Sequence, residues 1–293
     1  MIRVGPAGWS YHDWEGRVYP DRKPAGFHPL AFLARYVDCI EINSSFYATP
    51  RADYARRWVR LVDDRPSFRF VAKLEQVFTH AAGVERERLD RTAEAFLAGV
   101  EPLRAAGRLA ALLVQFPHSF RASRAAWERL ERIRGWFGHL ELVLEVRHLS
   151  WLEEPWLAQL DRAGWSLAAI DLPAAADHPP ACPPPIGPIG YHRLHGRNRD
   201  AWFRAGAGRD ERYDYLYDDE ELEQLLRITR RIATDREQTY AITNNHFAGK
   251  AVANALELLA ALRDDPPLAP AEVVRSFPRL ASRVRVEGQG SLF

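Results

Sequence analysis

Short apolar or β-branched runs alternate along the chain with longer stretches whose apolar residues recur every three to four positions. That is the signature of repeated strand–helix units around a parallel sheet. Eight runs read as strands: residues 2–8, 39–46, 68–74, 109–117, 140–147, 166–172, 189–196 and 239–245. The clearest helical stretch covers residues 85–106, where Leu89, Ala93, Phe96, Val100 and Leu103 fall on one face. Further helices are expected at 29–36, 53–62, 123–137, 154–163, 218–233 and 248–262. The one connection without a helical pattern, residues 173–188, is rich in proline, which fixes φ and removes backbone donors. It reads as a loop crossing the molecule. An eightfold count in 293 residues, with no glycine-rich phosphate turn after an early strand, favours one closed (β/α)8 TIM barrel over an open doubly wound sheet. The barrel is expected over residues 1–263, with 264–293 as a C-terminal extension or tail.

Barrel strands alternate inward and outward side chains, and barrel enzymes carry their chemistry at the C-terminal strand ends. Those ends hold Glu41 and Asn43, Lys73, Gln115, Glu145 and Arg147, Asp171, Arg193 and His195, and Asn244 and His246. Such a set can exchange protons and neutralise anionic oxygens. Glu41 and Glu145 are the candidates for acid and base, and Lys73 for anion binding or a Schiff base. A structural ion pair of Glu145 with Arg193 is the plainer alternative, since buried charges need partners whether or not they catalyse. Glu145, Asp171, His195 and His246 could together hold a divalent metal, although no close ligand spacing such as HExxH is present. Aromatics follow several strands, among them Trp9, Tyr11, Trp14, Phe46, Tyr47, Trp151, Trp202 and Phe203. They can stack on sugars or bases, or pack loops onto the rim.

Composition narrows the function classes. Lys plus Arg (40) nearly balances Asp plus Glu (39), so no global field holds nucleic acid or an anionic membrane non-specifically. No stretch has the length of a membrane span and no basic-then-apolar leader opens the chain, so a cytoplasmic protein is expected. Cys39 in an apolar run and Cys182 in the proline-rich loop suggest neither a disulfide framework nor a cysteine metal cluster.

The segments GPAGWSYHDWEGRVYP, EINSSFY, FVAKLEQVFTH, LVQFPHSF, LEVRHLSW, YHRLHGR and ITNNHFAGKAVANA, in this order, resemble the YecE-like family, the domain of unknown function seventy-two. The resemblance runs from Gly5 to about Leu262 and implies a TIM barrel without implying a reaction. The family's motif positions fall on Trp9, Tyr11, Glu41, Asn43, Tyr47, Lys73, Gln115, Glu145, Arg147, Asp171, Arg193, His195, Gly196, Asn244 and Asn245. The long proline-rich loop after Asp171 departs from the family pattern and bears on access to the pocket.

Three functions fit these features. One is an enzyme acting on a phosphorylated or nucleotide-like substrate, linked to DNA maintenance. The second is a carbohydrate-active hydrolase or isomerase, and the third a non-catalytic ligand-binding or clamp-associated protein. The link to DNA rests on the final QGSLF, where Gln289, Leu292 and Phe293 resemble the pentapeptide with which bacterial DNA-processing proteins dock on the replication sliding clamp. Packing of Leu292 and Phe293 onto the barrel bottom is the alternative. Deleting residues 289–293 is expected to abolish clamp binding in surface plasmon resonance while leaving Tm unchanged; clamp affinity equal to that of the full chain would reject docking.

Overall fold

The expected strand–helix alternation is present in a computed structural model that describes residues 1–287. The sequence-identified docking residues Gln289, Leu292 and Phe293 lie outside the described residues. Nine short strands occupy the predicted runs: β1 (Ile2–Pro6), β2 (Cys39–Ile42), β3 (Arg69–Lys73), β4 (Leu109–Gln115), β5 (Leu142–Glu145), β6 (Ser166–Leu167), β7 (Ala169–Asp171), β8 (Ile189–Leu194) and β9 (Gln238–Thr243). They form two sheets, β2-β3-β4-β5-β6 and β1-β9-β8-β7, in which these strands pair in parallel.

The sheets are tied to each other at two places. The sixth run is split, so that β6 pairs with β5 and β7 with β8, while between them Ala168 N donates to Leu144 O at 2.9 Å. Across from this break, Ala7 bridges Glu41, Asp38 N donates to Val4 O at 2.9 Å, and Gly8 N donates to Glu41 O at 2.8 Å. The backbones of β1 and β2 approach so closely here that a Cβ on Gly5 would lie 1.8 Å from the carbonyl oxygen of Cys39.

Strand parity divides the core. Cys39, Val71, Leu113, Val143, Ile170, Tyr191 and Ile242 turn toward one another on one face of the sheets. Alternate residues, including Ile40, Phe70, Leu112, Leu144 and Ala241, turn to the helices. The principal helices, Ala52–Leu61, Arg86–Ala105, Arg124–Phe137, Glu154–Arg162, Asp219–Ala233 and Lys250–Leu262, match the predicted stretches to within a few residues. Their starts carry the expected chemistry: the Ser123 hydroxyl accepts from Ala126 N, and Asp218 forms a reciprocal capping box with Glu221. The helix expected over 29–36 ends at Leu33. Residues 173–188 hold neither helix nor strand, as their prolines require.

The segment read from the sequence as a tail is folded over its described part. Strands β10 (Leu268–Ala269) and β11 (Arg285–Val286) pair in parallel, and Ala269, Val273, Phe277, Leu280 and Val284 are buried in the same cluster as the helix Lys250–Leu262. Arg279 seals this contact with an ion pair of 2.6 Å to the buried Glu257. The segment's apolar positions recur at spacings of about three to four residues, which gives it a face to bury. Both cysteines are free, Cys39 within the sheet core and Cys182 half-buried. Among the described residues no helix is long and apolar enough to cross a membrane.

The close approach at Gly5 generates a test. Gly5→Ala must push a carbonyl aside rather than a flexible side chain, so a loss of about 3 kcal/mol or more is expected. Urea unfolding read by circular dichroism measures it, and a loss below about 1 kcal/mol would show that the seam tolerates separation.

Candidate functional site

Parity carries the last inward residue of most strands into one polar layer above the apolar interior. Glu41 ends this face of β2, Lys73 that of β3, Gln115 that of β4, Glu145 that of β5 and Arg193 that of β8, while Asn244 follows β9 directly. Above the layer opens a cavity of about 540 Å³ whose wall includes Lys73, Gln115, Arg147, Arg193, Asn244 and His246.

Arg193 organises the floor. Its Nε and Nη2 donate to the two oxygens of Glu41 at 3.0 and 2.7 Å, and its Nη1 donates to Glu145 Oε2 at 2.8 Å. The Tyr191 hydroxyl donates to Glu41 Oε2 at 2.7 Å, and Arg147 donates from Nε and Nη2 to Glu145 Oε1 at 3.1 and 3.0 Å. Both carboxylates are fully buried. Burial opposes ionisation of Glu145, yet Arg193, His195 and Arg147 together hold its carboxyl well below the usual carboxylate range. His195 lies 3.5 Å from Glu145 Oε1 through Nε2, and its Nδ1 meets the Asn244 amide at 3.0 Å. An amide nitrogen can only donate, so Nδ1 is the acceptor and the proton sits on Nε2, toward Glu145.

Lys73 differs from the arginines. Its Nζ stands 3.9 Å from the centre of the Phe46 ring, and among the described residues no carboxylate lies within ion-pair distance of it. Burial, reinforced by Arg193, brings the ammonium down to about 7 from 10.5, against the pull of Glu41 and Glu145. The backbone beneath is fixed by Ser45, whose hydroxyl donates to Lys73 O at 2.7 Å and accepts from Lys73 N at 3.0 Å. Aromatic walls rise from the loops: Tyr11 stacks on His246 at 4.6 Å and accepts from the Asn43 amide at 3.3 Å, and Tyr213 stands 5.3 Å from the same imidazole. Burial lowers His246 to about 4, so its ring is neutral at physiological pH.

Of the residues proposed from the sequence, Trp9, Tyr11, Asn43, Tyr47, Lys73, Gln115, Arg147, Arg193 and Asn244 line the cavity, and Glu41, Glu145 and His195 lie directly behind its floor. Asp171 does not join them. It faces the helix layer, where Arg197 Nη2 donates to it at 2.7 Å and the Tyr217 hydroxyl at 2.6 Å. Its inward neighbours are Ala168, Ile170 and Leu172, so the sixth run gives the ring an apolar member. Asn245 also points away, donating to Tyr215 O and Asn254 Oδ1. The proposed metal set of Glu145, Asp171, His195 and His246 is therefore not assembled: Asp171 is held by Arg197 and His246 lies under Tyr11. Trp14 and Trp151 are fully buried packing residues rather than cavity walls.

Sequence reasoning missed Arg209, Tyr213 and His80 on the cavity wall. Arg209 opens the single-turn helix Arg209–Arg212 and Tyr213 caps it, in a connection between β8 and the helix Asp219–Ala233 whose helices are too short to give a periodic signal. His80 stands seven residues after Lys73 within a segment already singled out, and its position on the turn after β3 was the available clue.

Residues 3–275 match the family described as proteins of unknown function DUF72. The UPF0759 protein YunF of Bacillus subtilis is 26% identical over 275 residues, covering 89% of this chain and 95% of that protein. The UPF0759 protein YecE of Escherichia coli is 30% identical over 150 residues, covering 50% of this chain and 49% of that protein. A DUF72 family protein of Thermotoga maritima, solved by crystallography, superposes with a TM-score of 0.76 at 33% identity, covering 89% of this chain and 99% of its own. Another from Enterococcus faecalis superposes with a TM-score of 0.75 at 26% identity, covering 89% of this chain and 95% of its own.

The buried histidines set an acid limit. Burial holds His195 at about 4 in the native state against 6.5 when free, so between those values the unfolded chain binds a proton that the native site does not. The stability that His195 contributes is therefore complete above about pH 6.5 and falls toward pH 4, by up to about 1.4 kcal/mol per pH unit. Urea midpoints across this window should slope less in His195→Gln than in the parent. An unchanged slope would mean that His195 titrates normally.

Proposed function

The chain belongs to the DUF72 family of proteins of unknown function, and we propose that its two sheets close into one (β/α)8 barrel housing an enzyme for a phosphorylated or nucleotide-like small molecule. The observation that carries this reading is Lys73, a buried ammonium brought to about 7 that faces the cavity without a carboxylate of its own. Glu41 and Glu145 are consumed by Arg193, Arg147 and Tyr191. Arg147 and Arg193 are thereby balanced and Arg209 pairs with Asp210 at 3.0 Å, so Lys73 is the cation on the cavity wall that no carboxylate among the described residues neutralises.

An anionic group settles against Lys73 and Arg147, with donors from Asn43, Gln115 and Asn244 within the same wall. The flat part of the ligand lies between the rings of Tyr11, Tyr47 and Tyr213. Lys73 is half-protonated near neutral pH and suits general acid–base work at the bound molecule, whereas the guanidinium groups keep their charge. Docking of Gln289, Leu292 and Phe293 on a sliding clamp would bring such an enzyme to DNA. The carbohydrate-hydrolase reading is weaker, because a glycosidase acid needs a raised carboxyl and Glu145 is held low.

Calorimetric titration with nucleoside monophosphates and sugar phosphates, against the uncharged nucleosides and sugars, tests the reading. Phosphorylated compounds are expected to bind with uptake of a proton near pH 7, measured by comparing buffers of different ionisation enthalpy. Lys73→Met should weaken them by about 10- to 100-fold, the loss of one charged hydrogen bond, and stop their turnover followed by phosphorus NMR. Binding of uncharged sugars as tight as that of their phosphates, or wild-type affinity in Lys73→Met, would sink it.

A further inference from the structure

A second cluster of ligand-type side chains stands on the rim apart from the cavity wall. His118 lies on the turn after β4, and Asp177 and His178 lie side by side in the proline-rich loop. Each offers one donor atom, and the three atoms lie within 4.8 Å of one another. His118 Nε2 is 3.1 Å from Asp177 Oδ2, yet the angle between them makes no hydrogen bond and leaves Nε2 without a partner among the described residues.

The tautomers follow from neighbours that can act in only one sense. His178 Nδ1 meets the Pro173 carbonyl at 3.2 Å. A carbonyl only accepts, so Nδ1 carries the proton and Nε2 keeps its lone pair free, the arrangement in which a metal-bound imidazole is oriented by an outer acceptor. His148 is the opposite case. Its Nδ1 accepts from Ser150 N at 3.2 Å, which puts its proton on Nε2, 3.9 Å from Asp177 Oδ2. His148 is thereby a partner of the carboxylate and not a fourth ligand.

The loops that carry the trio are fastened. Leu149 N donates to Asp177 O at 2.8 Å, Ala122 N donates to the Ser150 hydroxyl at 2.9 Å, and Trp151 Nε1 donates to Phe120 O at 2.9 Å. The side chains of His118 and Asp177 keep 40% and 42% of their exposure, while His118 Nε2 itself is turned inward toward Asp177.

We propose that His118, Asp177 and His178 form a binding site for a divalent transition cation of the zinc class, distinct from the central cavity and independent of the function proposed for it. Two imidazoles and one carboxylate suit a borderline ion and leave one position open to water or an external ligand. Tetrahedral bonds of about 2.0–2.2 Å set neighbouring ligand atoms about 3.3 Å apart. One pair already meets this spacing, at 3.1 Å, and the third atom lies within 4.8 Å of both. The site also pins the proline-rich loop to the turn after β4.

Zinc chloride titrated into chelator-stripped full-length protein by calorimetry tests the proposal. One equivalent is expected to bind and raise Tm, and the cobalt-loaded protein should show a tetrahedral visible spectrum. His118→Ala, Asp177→Ala and His178→Ala, each first shown to match the metal-free parent in Tm, should weaken zinc by more than about 10- to 100-fold, the usual loss from an outer partner. Cys182→Ser on the same loop should leave binding unchanged. Failure of the parent to bind zinc, or retention of parent affinity in the three alanine variants, overturns the site. So does binding that depends on Cys182 instead.

Discussion

One guanidinium holds the floor of the cavity together. Arg193 is buried between Glu41 and Glu145, so a single side chain of β8 joins β2 and β5 from the other sheet. Three buried charges survive there because nearly every oxygen and N–H finds a partner, Tyr191 and Arg147 taking the lone pairs that Arg193 leaves. Removing one member strands the others, and breaking a buried pair costs about 3–5 kcal/mol. The layer beneath must be apolar and fixed for the clamp to form, which is why Tyr191, Val71, Leu113 and Ile242 sit directly below it. The clamp also decides the charge of the cavity. Once both carboxylates are spent on guanidinium groups, Lys73 faces the opening without a counter-ion.

How much of this was legible in the sequence depended on period. The polar ring followed from alternation: Glu41, Lys73, Gln115, Glu145, Arg193 and Asn244 each stand two residues beyond an apolar residue facing the interior. The ion pair of Glu145 with Arg193, the plainer alternative to a catalytic role, is present and is part of a larger network. Asp171 failed for an instructive reason. In LAAIDLP the inward positions are Ala168, Ile170 and Leu172, and the only charged residue of the run was chosen against its own parity. The split of this run between β6 and β7 serves two sheets, which pairing decides and residue type does not reveal. Tyr213 and the trio His118, Asp177 and His178 lie outside helices and strands, and Arg209 on a helix of a single turn, where no repeat exists to read. The packed segment after residue 263 was readable from Leu268, Val273, Phe277, Leu280 and Val284, which recur too regularly for a solvated tail.

On the proposed function, the same network separates two duties that one residue could not perform. A group that fixes an anion must stay charged, and a group that moves a proton must sit near its transition at working pH. Arg193 and Arg147 meet the first condition through their carboxylate partners. Lys73 meets the second because those partners are taken: burial and the nearby Arg193 lower it, and the pull of Glu41 and Glu145, both paired with arginine, offsets this only in part. If Glu41 were free to pair with Lys73, the ammonium would be locked in its charged form and the cavity would lose a cation that titrates near neutral pH. Pairing of both carboxylates with arginine, and of Glu41 with Tyr191 as well, is thus what leaves the lysine chemically available, and the geometry of one buried guanidinium enforces it.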